Sequence, residues 1–186
     1  MSFTSHPLPD LPEVRVITPR VFADDRGEFV ESWHSEKFAD IGLTVEFVQD
    51  NHSISDGGVL RGLHYQVPPA SQVKLVRVVV GEVFDVAVDI RRSSATFGRW
   101  VGRRLSADNR EMLWIPDGFA HGFLTLSPRA EVVYKCSAHY APESDRTLAW
   151  DDPEIAVVWP LNDGEAPRLS SKDTGAPSLR EAELFP

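Results

Sequence analysis

Short apolar runs succeed one another along the chain, broken by Gly, Pro, Asp, Asn or Ser at roughly ten-residue spacing. Strands are expected at Val14 to Ile17, Gly27 to Trp33, Val45 to Asn51, Val59 to Gln66, Lys74 to Val80 and Val83 to Arg91. More are expected at Arg99 to Leu105, Glu111 to Ile115, Phe119 to Leu126, Val132 to Tyr140 and Ile155 to Trp159. Side chains alternate across a strand, so Phe84, Val86, Val88 and Ile90 share one face and Asp85, Ala87 and Asp89 the other. Val132, Tyr134, Cys136, Ala138 and Tyr140 also share a face, which either lines a cavity inside a barrel or packs as ordinary core with its Tyr hydroxyls at the edge. Helical signals are few. Ser35 is placed to cap a helix over Glu36 to Ile41 that Gly42 can close, and a second short helix is expected near Pro177 to Leu184. No repeat or linker divides residues 1–186. The pattern predicts a single all-β domain, a sandwich or barrel with a few short helices, and not alternating βα units.

Composition narrows the partners. Lys plus Arg number 19 against 28 Asp plus Glu, a net charge of −9 that is ill suited to gripping nucleic acid or an anionic membrane. A local Arg cluster can still hold a small anion. The one cysteine, Cys136, forms no intramolecular disulfide, no apolar run approaches membrane-span length, and the first residues lack a secretory pattern. A cytoplasmic protein is expected.

Two of the six histidines sit in unusual surroundings: GVLRGLHYQ (58–66) and IPDGFAHGF (115–123). Strict alternation sends Arg61 and His64 to opposite faces unless a bulge at Gly62 turns both inward. His6, His34 and His52 read as structural, and His139 is undecided. The turn Pro116-Asp117-Gly118 followed by His121 resembles the second motif of the cupin barrels, where the His often binds metal. The equivalent of the first cupin motif is His64-Tyr65-Gln66, without a second His or a following Glu. Two of four ligands are thus absent, which disfavours a metal.

The segments FADDRGEFVESW, FVQDNHS, GVLRGLHYQ, KLVRVVVGEVFDVAVDIRRSSATFGRW, LWIPDGFAHGFLTLS, EVVYKCSAHYAP, WDDPEIAVVWP and LSSKD together resemble the dTDP-4-dehydrorhamnose 3,5-epimerase family, in its order and spacing, from about Ile17 to Ala176. The resemblance implies a jelly-roll (cupin-like) barrel, a homodimer that exchanges strands, no cofactor, and a dTDP-linked 4-keto-6-deoxy sugar as substrate. The hydrogens at C3 and C5 flank the ketone, so each can leave as a proton if the enolate is stabilised. His64 matches the base, since imidazole titrates near working pH. Asp173 matches the acid that orients it, Lys74 and Arg61 the cations near the enolate oxygen, and Tyr134 the opposing proton donor. Singly, Lys74 also reads as a solvated strand start, Asp173 as a cap and Tyr134 as a core-edge residue.

The resemblance further places Phe22, Arg26 and Glu31 near the nucleotide with Gln49 and Asn51, some of them reaching across a dimer. His121 and Tyr140 join the substrate site. Arg26 can pair with diphosphate oxygens, Phe22 can stack on the pyrimidine, and Gln49 or Asn51 can read its polar edge. His139-Tyr140 replaces a usually aromatic pair, and Val73 a usually small residue. These departures leave room for a mono-epimerase acting at C3 or C5 alone, and a non-enzymatic sugar-nucleotide-binding cupin is the reading from another class.

Overall fold

Thirteen strands and two short helices are found among the described residues of the computed structural model, which are 2–161 and 164–186. The strands are β1 (Phe3–Leu8), β2 (Leu11–Pro19), β3 (Val21–Asp24), β4 (Gly27–Val30), β5 (Gln49–Asp56), β6 (Leu60–Gln66) and β7 (Lys74–Val80). They continue with β8 (Glu82–Asp89), β9 (Trp100–Ser106), β10 (Met112–Ile115), β11 (Phe119–Thr125), β12 (Arg129–Cys136) and β13 (Asp145–Thr147). The helices are α1 (Ser35–Asp40) and α2 (Ser171–Thr174). A six-stranded sheet runs β1-β2-β10-β7-β12-β5 and a five-stranded sheet β13-β6-β11-β8-β9, while β3 and β4 form a hairpin outside both. Strand pairs within the sheets are antiparallel, and neighbours such as β7 and β12 or β6 and β11 are far apart in sequence, as a jelly roll requires.

The central strands β8, β10 and β11 are buried on both faces, which explains why apolar residues fill them so densely. Between the sheets lie Val14, Val16, Val76, Val78, Val83, Ala87, Leu113, Phe123 and Val132. The opposite face of β8, with Val86, Val88 and Ile90, packs under the C-terminal segment through Leu148, Ile155, Trp159, Leu179 and Phe185. The outer face of the six-stranded sheet is covered in part by α1, where Phe38 meets Phe3, Ile17, Leu75, Met112 and Trp114. Each such fully buried Leu, Ile or Phe contributes about 1.5–3 kcal/mol relative to exposure. Among the described residues no helix is long and apolar enough to cross a membrane.

Several boundaries differ from expectation. Ile155 to Trp159 forms no strand; the segment turns and lies over the five-stranded sheet as a cover, with the Trp159 indole donating to the Trp150 carbonyl. Pro177 to Leu184 forms a single hydrogen-bonded turn and no helix, whereas α2 forms just before it. The N-cap of α1 is His34, without a side-chain bond, and Ser35 is the first helical residue. The expected strand at 45–51 begins at Gln49, the one at 27–33 stops at Val30, and the one at 132–140 stops at Cys136. The short or polar strands β1 and β13 carry no apolar run to announce them.

Candidate active site

Gly62 decides what β6 presents to the interior. The register between β6 and β11 shifts at His121/Phe123, so Gly62 is the extra residue of a bulge. Leu60, Leu63 and Tyr65 pack on the outer cluster, while Arg61, His64 and Gln66 line a cavity of about 490 Å³ between the sheets. Gly62 has φ +134, a value L side chains rarely adopt. The expected bulge is present and brings Arg61 and His64 to one side.

His64 reaches across the fold to α2, where its Nε2 lies 2.6 Å from Oδ1 of Asp173. The Asp173 side chain is 3 % exposed and that of His64 34 %, so the pair has a buried end and an end open to the cavity. Burial alone would raise the Asp173 pKa; hydrogen bonds from His64 and Ser170 outweigh it and hold the carboxyl below its usual value. With Nε2–H donating to the carboxylate, the other ring nitrogen carries the free lone pair. Asp173 is thus both a residue of the capped turn, its amide donating to Ser170 Oγ, and the partner of His64.

Tyr134 lines the same cavity from β12, in the opposite sheet. Its hydroxyl makes no hydrogen bond among the described residues, and burial pushes its pKa up. The face shared by Val132, Tyr134 and Cys136 does line a barrel interior: Val132 sits in the core, and Tyr134 packs on it with its ring turned to the cavity. Lys74 starts β7 but is buried, at 8 % exposure, and not solvated. Its ammonium donates to the His64 carbonyl oxygen at 3.4 Å and makes no ion pair among the described residues. Burial lowers the Lys74 pKa, against the opposing pull of Cys136, Asp85 and Asp145. Arg61 is the second cation of the cavity without a carboxylate partner among the described residues; its Nε donates to Ser55 Oγ at 2.9 Å and its Nη2 to the Ile54 carbonyl at 3.1 Å.

A second His–carboxylate pair stands beside the first. His121 is paired in register with His64, and its Nε2 lies 3.0 and 3.1 Å from the two oxygens of Asp85, which is wholly buried. Sequence reasoning placed Asp85 on the Ala87 face but gave it no role; a carboxylate on the inward side of an otherwise apolar strand was the available signal. It also assigned nothing to Ser53, Gln72, Asp145 or Lys172, all of which line the cavity. Gln66, standing where a metal cupin has a His, ties loops together: its amide donates to the Ala70 and His139 carbonyls and accepts from the Ala141 amide. No group of three or more His, Cys, Asp and Glu able to hold a metal occurs among the described residues.

Gln49, Asn51 and Tyr140 lie at one side of the cavity. Gln49 Nε2 donates to Asn51 Oδ1 and its Oε1 accepts the Tyr140 amide, while Tyr140 itself is 58 % exposed. Phe22, Arg26 and Glu31 are not brought to this cavity. Phe22 and Phe29 are exposed on the β3–β4 hairpin, Arg26 pairs with Asp24, and Glu31 pairs with Lys37. Val73 packs outward against the α1 cluster, and the His139 carbonyl accepts from Gln66.

Residues 9–181 match the profile of the family described as dTDP-4-dehydrorhamnose 3,5-epimerase. A dTDP-4-dehydrorhamnose 3,5-epimerase of Pseudomonas aeruginosa is 55 % identical over 177 residues, 95 % of this chain and 96 % of that protein. Among solved structures, the dTDP-6-deoxy-D-glucose-3,5-epimerase of Legionella pneumophila, in complex with dTDP-4-keto-L-rhamnose, superposes with a TM-score of 0.93 at 45 % identity, covering 98 % of this chain and 97 % of that one. A 3'-monoepimerase of Streptomyces bikiniensis in complex with dTDP-quinovose gives 0.86 at 35 % identity, covering 94 % and 87 %.

Proposed function

The chain belongs to the dTDP-4-dehydrorhamnose 3,5-epimerase family, and on that premise we propose that it inverts C3 and C5 of a dTDP-linked 4-keto-6-deoxyhexose, turning dTDP-4-dehydro-6-deoxyglucose into dTDP-4-dehydrorhamnose. One observation carries the reading: the His64–Asp173 pair faces the cavity from one sheet and Tyr134 faces it from the other.

Inversion beside a ketone needs a base on one face of the sugar and an acid on the other. The free nitrogen of His64 removes the proton at C5 or C3, and the C–H electron pair moves into an enolate whose charge sits on O4. Asp173 stabilises the imidazolium so formed. Lys74 and Arg61, two cations without carboxylate partners among the described residues, stabilise the enolate oxygen in a site where low dielectric magnifies their effect. Tyr134 delivers a proton to the opposite face and regains one from solvent, to which the His64 imidazolium releases the proton it took. No electrons are exchanged with a redox partner, and no metal is assigned a step. Gln66 stands where a metal cupin has a His, and no group of three or more His, Cys, Asp and Glu able to hold a metal occurs among the described residues, which supports full activity after chelation.

His121, held by Asp85, lines the sugar end. Gln49, Asn51 and Tyr140 take the nucleotide, and Phe22, Arg26 and Glu31 reach the cavity of a second copy in a homodimer. The hairpin supports this last point, since it stands apart from both sheets with two phenylalanines exposed. We take residues 1–186 as one jelly-roll unit working in the cytoplasm on a free nucleotide sugar. Incubation with dTDP-4-dehydro-6-deoxyglucose in deuterated water tests the activity: NMR should find deuterium at both C3 and C5 of an inverted product. Deuterium at one centre only would make the enzyme a mono-epimerase, and none at either would overturn the reading.

A further inference from the structure

Asp173 is held from two sides. Its Oδ1 accepts from His64 at 2.6 Å, and its Oδ2 accepts from the Ser170 hydroxyl at 2.7 Å. The same Ser170 oxygen accepts the Asp173 amide at 3.2 Å, so backbone and carboxylate of one residue are tied to one hydroxyl. Asp85 offers a contrast within the same cavity. Both its oxygens face the single Nε2 of His121, at 3.0 and 3.1 Å, and no other side chain bonds it among the described residues.

The torsion that spins a carboxylate about its own axis is broad and roughly two-fold, so one hydrogen bond does not fix it. A second bond, made from the opposite side by a group anchored to the same turn, does. Lys172, the adjacent cation, does not compete for the carboxylate because its Nζ is bonded to Asp145. We propose that Ser170 is a positioning residue of the epimerisation: its hydroxyl locks the Asp173 carboxylate so that Oδ1 stays aimed at His64. The relay then runs Ser170–Asp173–His64. The inference rests on His64 acting as the base.

Ser170 is also the N-cap of α2, and a cap alone would explain one of its two bonds. Three variants separate the roles. Ser170→Ala loses both the cap and the lock. Ser170→Gly also loses the lock, but glycine is tolerated at an N-cap almost as well as serine. Ser170→Thr keeps a hydroxyl able to do both. Steady-state kinetics on the dTDP-linked keto sugar, with thermal unfolding as a check, should show kcat reduced roughly 10- to 100-fold in both Ala and Gly variants. KM should be unchanged, and Thr should recover most of the rate. If Ser170→Ala fails to fold, the Gly and Thr variants decide. Wild-type kcat in folded Ser170→Gly, a rise in KM alone, or a folded Thr variant as slow as Gly would overturn the proposal. His64→Ala and Asp173→Asn run alongside: if they turn over normally, the dyad reading itself has failed, whereas their loss with an intact Gly variant condemns only the role of Ser170.

Discussion

Gly62 and Gly122 pack backbone to backbone, so closely that a Cβ added to Gly62 would lie 2.5 Å from the Gly122 Cα and 2.9 Å from the His121 carbonyl oxygen. Both obstacles are main chain and cannot swing aside. The bulge that sends Arg61 and His64 inward therefore depends on two missing side chains, one on each strand. Gly62→Ala should cost about 1–3 kcal/mol in backbone strain alone. At about 2–4 °C per kcal/mol for a chain of this size, the melting temperature should fall by several degrees. Activity should fall as well, because His64 loses its register against His121. An alanine variant that melts and turns over like the parent would show that the bulge is not what sets the site.

The roles given to His64 and Tyr134 separate in deuterated water. Without the base no enolate forms, so His64→Ala should abolish both inversion and exchange at C3 and C5. Tyr134→Phe keeps the ring that packs on the core but loses the hydroxyl. An enolate can still form and be reprotonated by His64 on its original face, giving deuterium exchange with little inversion. Asp173→Asn should slow exchange by a factor on the order of 100 to 10,000, as is usual when a His loses its orienting carboxylate. Equal loss of exchange in the Tyr134 and His64 variants would refute this division of labour.

The distinction between what was legible and what was not follows the physics of each element. Alternation in Val83 to Ile90 correctly sorted the two faces of β8, because both faces are buried and a strand's side-chain period leaves no choice. Gly62 could be suspected from its place between Arg61 and His64. The Asp173 partnership needed the resemblance, since 109 residues separate it from His64 and nothing local announces it. Asp85 shares a face with Ala87 and Asp89, and alternation alone does not say that closure of the barrel makes that face interior. The strand β1, with Pro7 and the three polar positions Thr4, Ser5 and His6, is an edge strand whose pairing with β2 comes from tertiary context. Ile155 to Trp159 has strand-like composition because it buries apolar side chains, but it does so as a turning cover. Phe22 and Arg26 of the hairpin, and Glu31 just after it, do not line the cavity of their own chain, so spacing within one chain could not place them.

The alkaline limb of the rate profile should belong to Lys74. Burial lowers its pKa, so the ammonium proposed to stabilise the enolate is lost below the usual lysine value of about 10.4. Tyr134 is shifted the other way and stays protonated through that range. Activity should therefore fall with rising pH before free lysines titrate, and residual exchange in Tyr134→Phe should show the same limb. The sign for folding is opposite. The unfolded chain holds the Lys74 proton to higher pH than the folded one, so this group makes stability rise with pH between the folded and unfolded values. Lys74→Met should remove that rise and lose the catalytic rate. Disappearance of the alkaline limb in Tyr134→Phe exchange would assign it to the phenol instead.

If the hairpin serves the partner's cavity, two dead enzymes should make a live one. A Phe22→Ala/Arg26→Ala variant has intact His64, Asp173, Lys74 and Tyr134 but presents blunted arms, so both sites of its homodimer should bind nucleotide poorly. A His64→Ala variant has intact arms but no base. In a mixed dimer, the cavity with the base receives the arm of the His64→Ala chain, and one complete site is restored. The other site lacks both. Random reassociation of equal amounts gives half mixed dimers, each with one of two sites complete, so activity should recover to about a quarter of the parent's. The mixture must first be partly denatured and refolded, or coexpressed, to exchange chains. With Phe22 exposed and the Arg26 side chain 86 % exposed, the arm variant should keep its own fold, which circular dichroism can check. Recovery would establish that the arm acts in trans. A well-folded arm variant with parental activity, or verified mixed dimers with no recovery, would confine each site to its own chain.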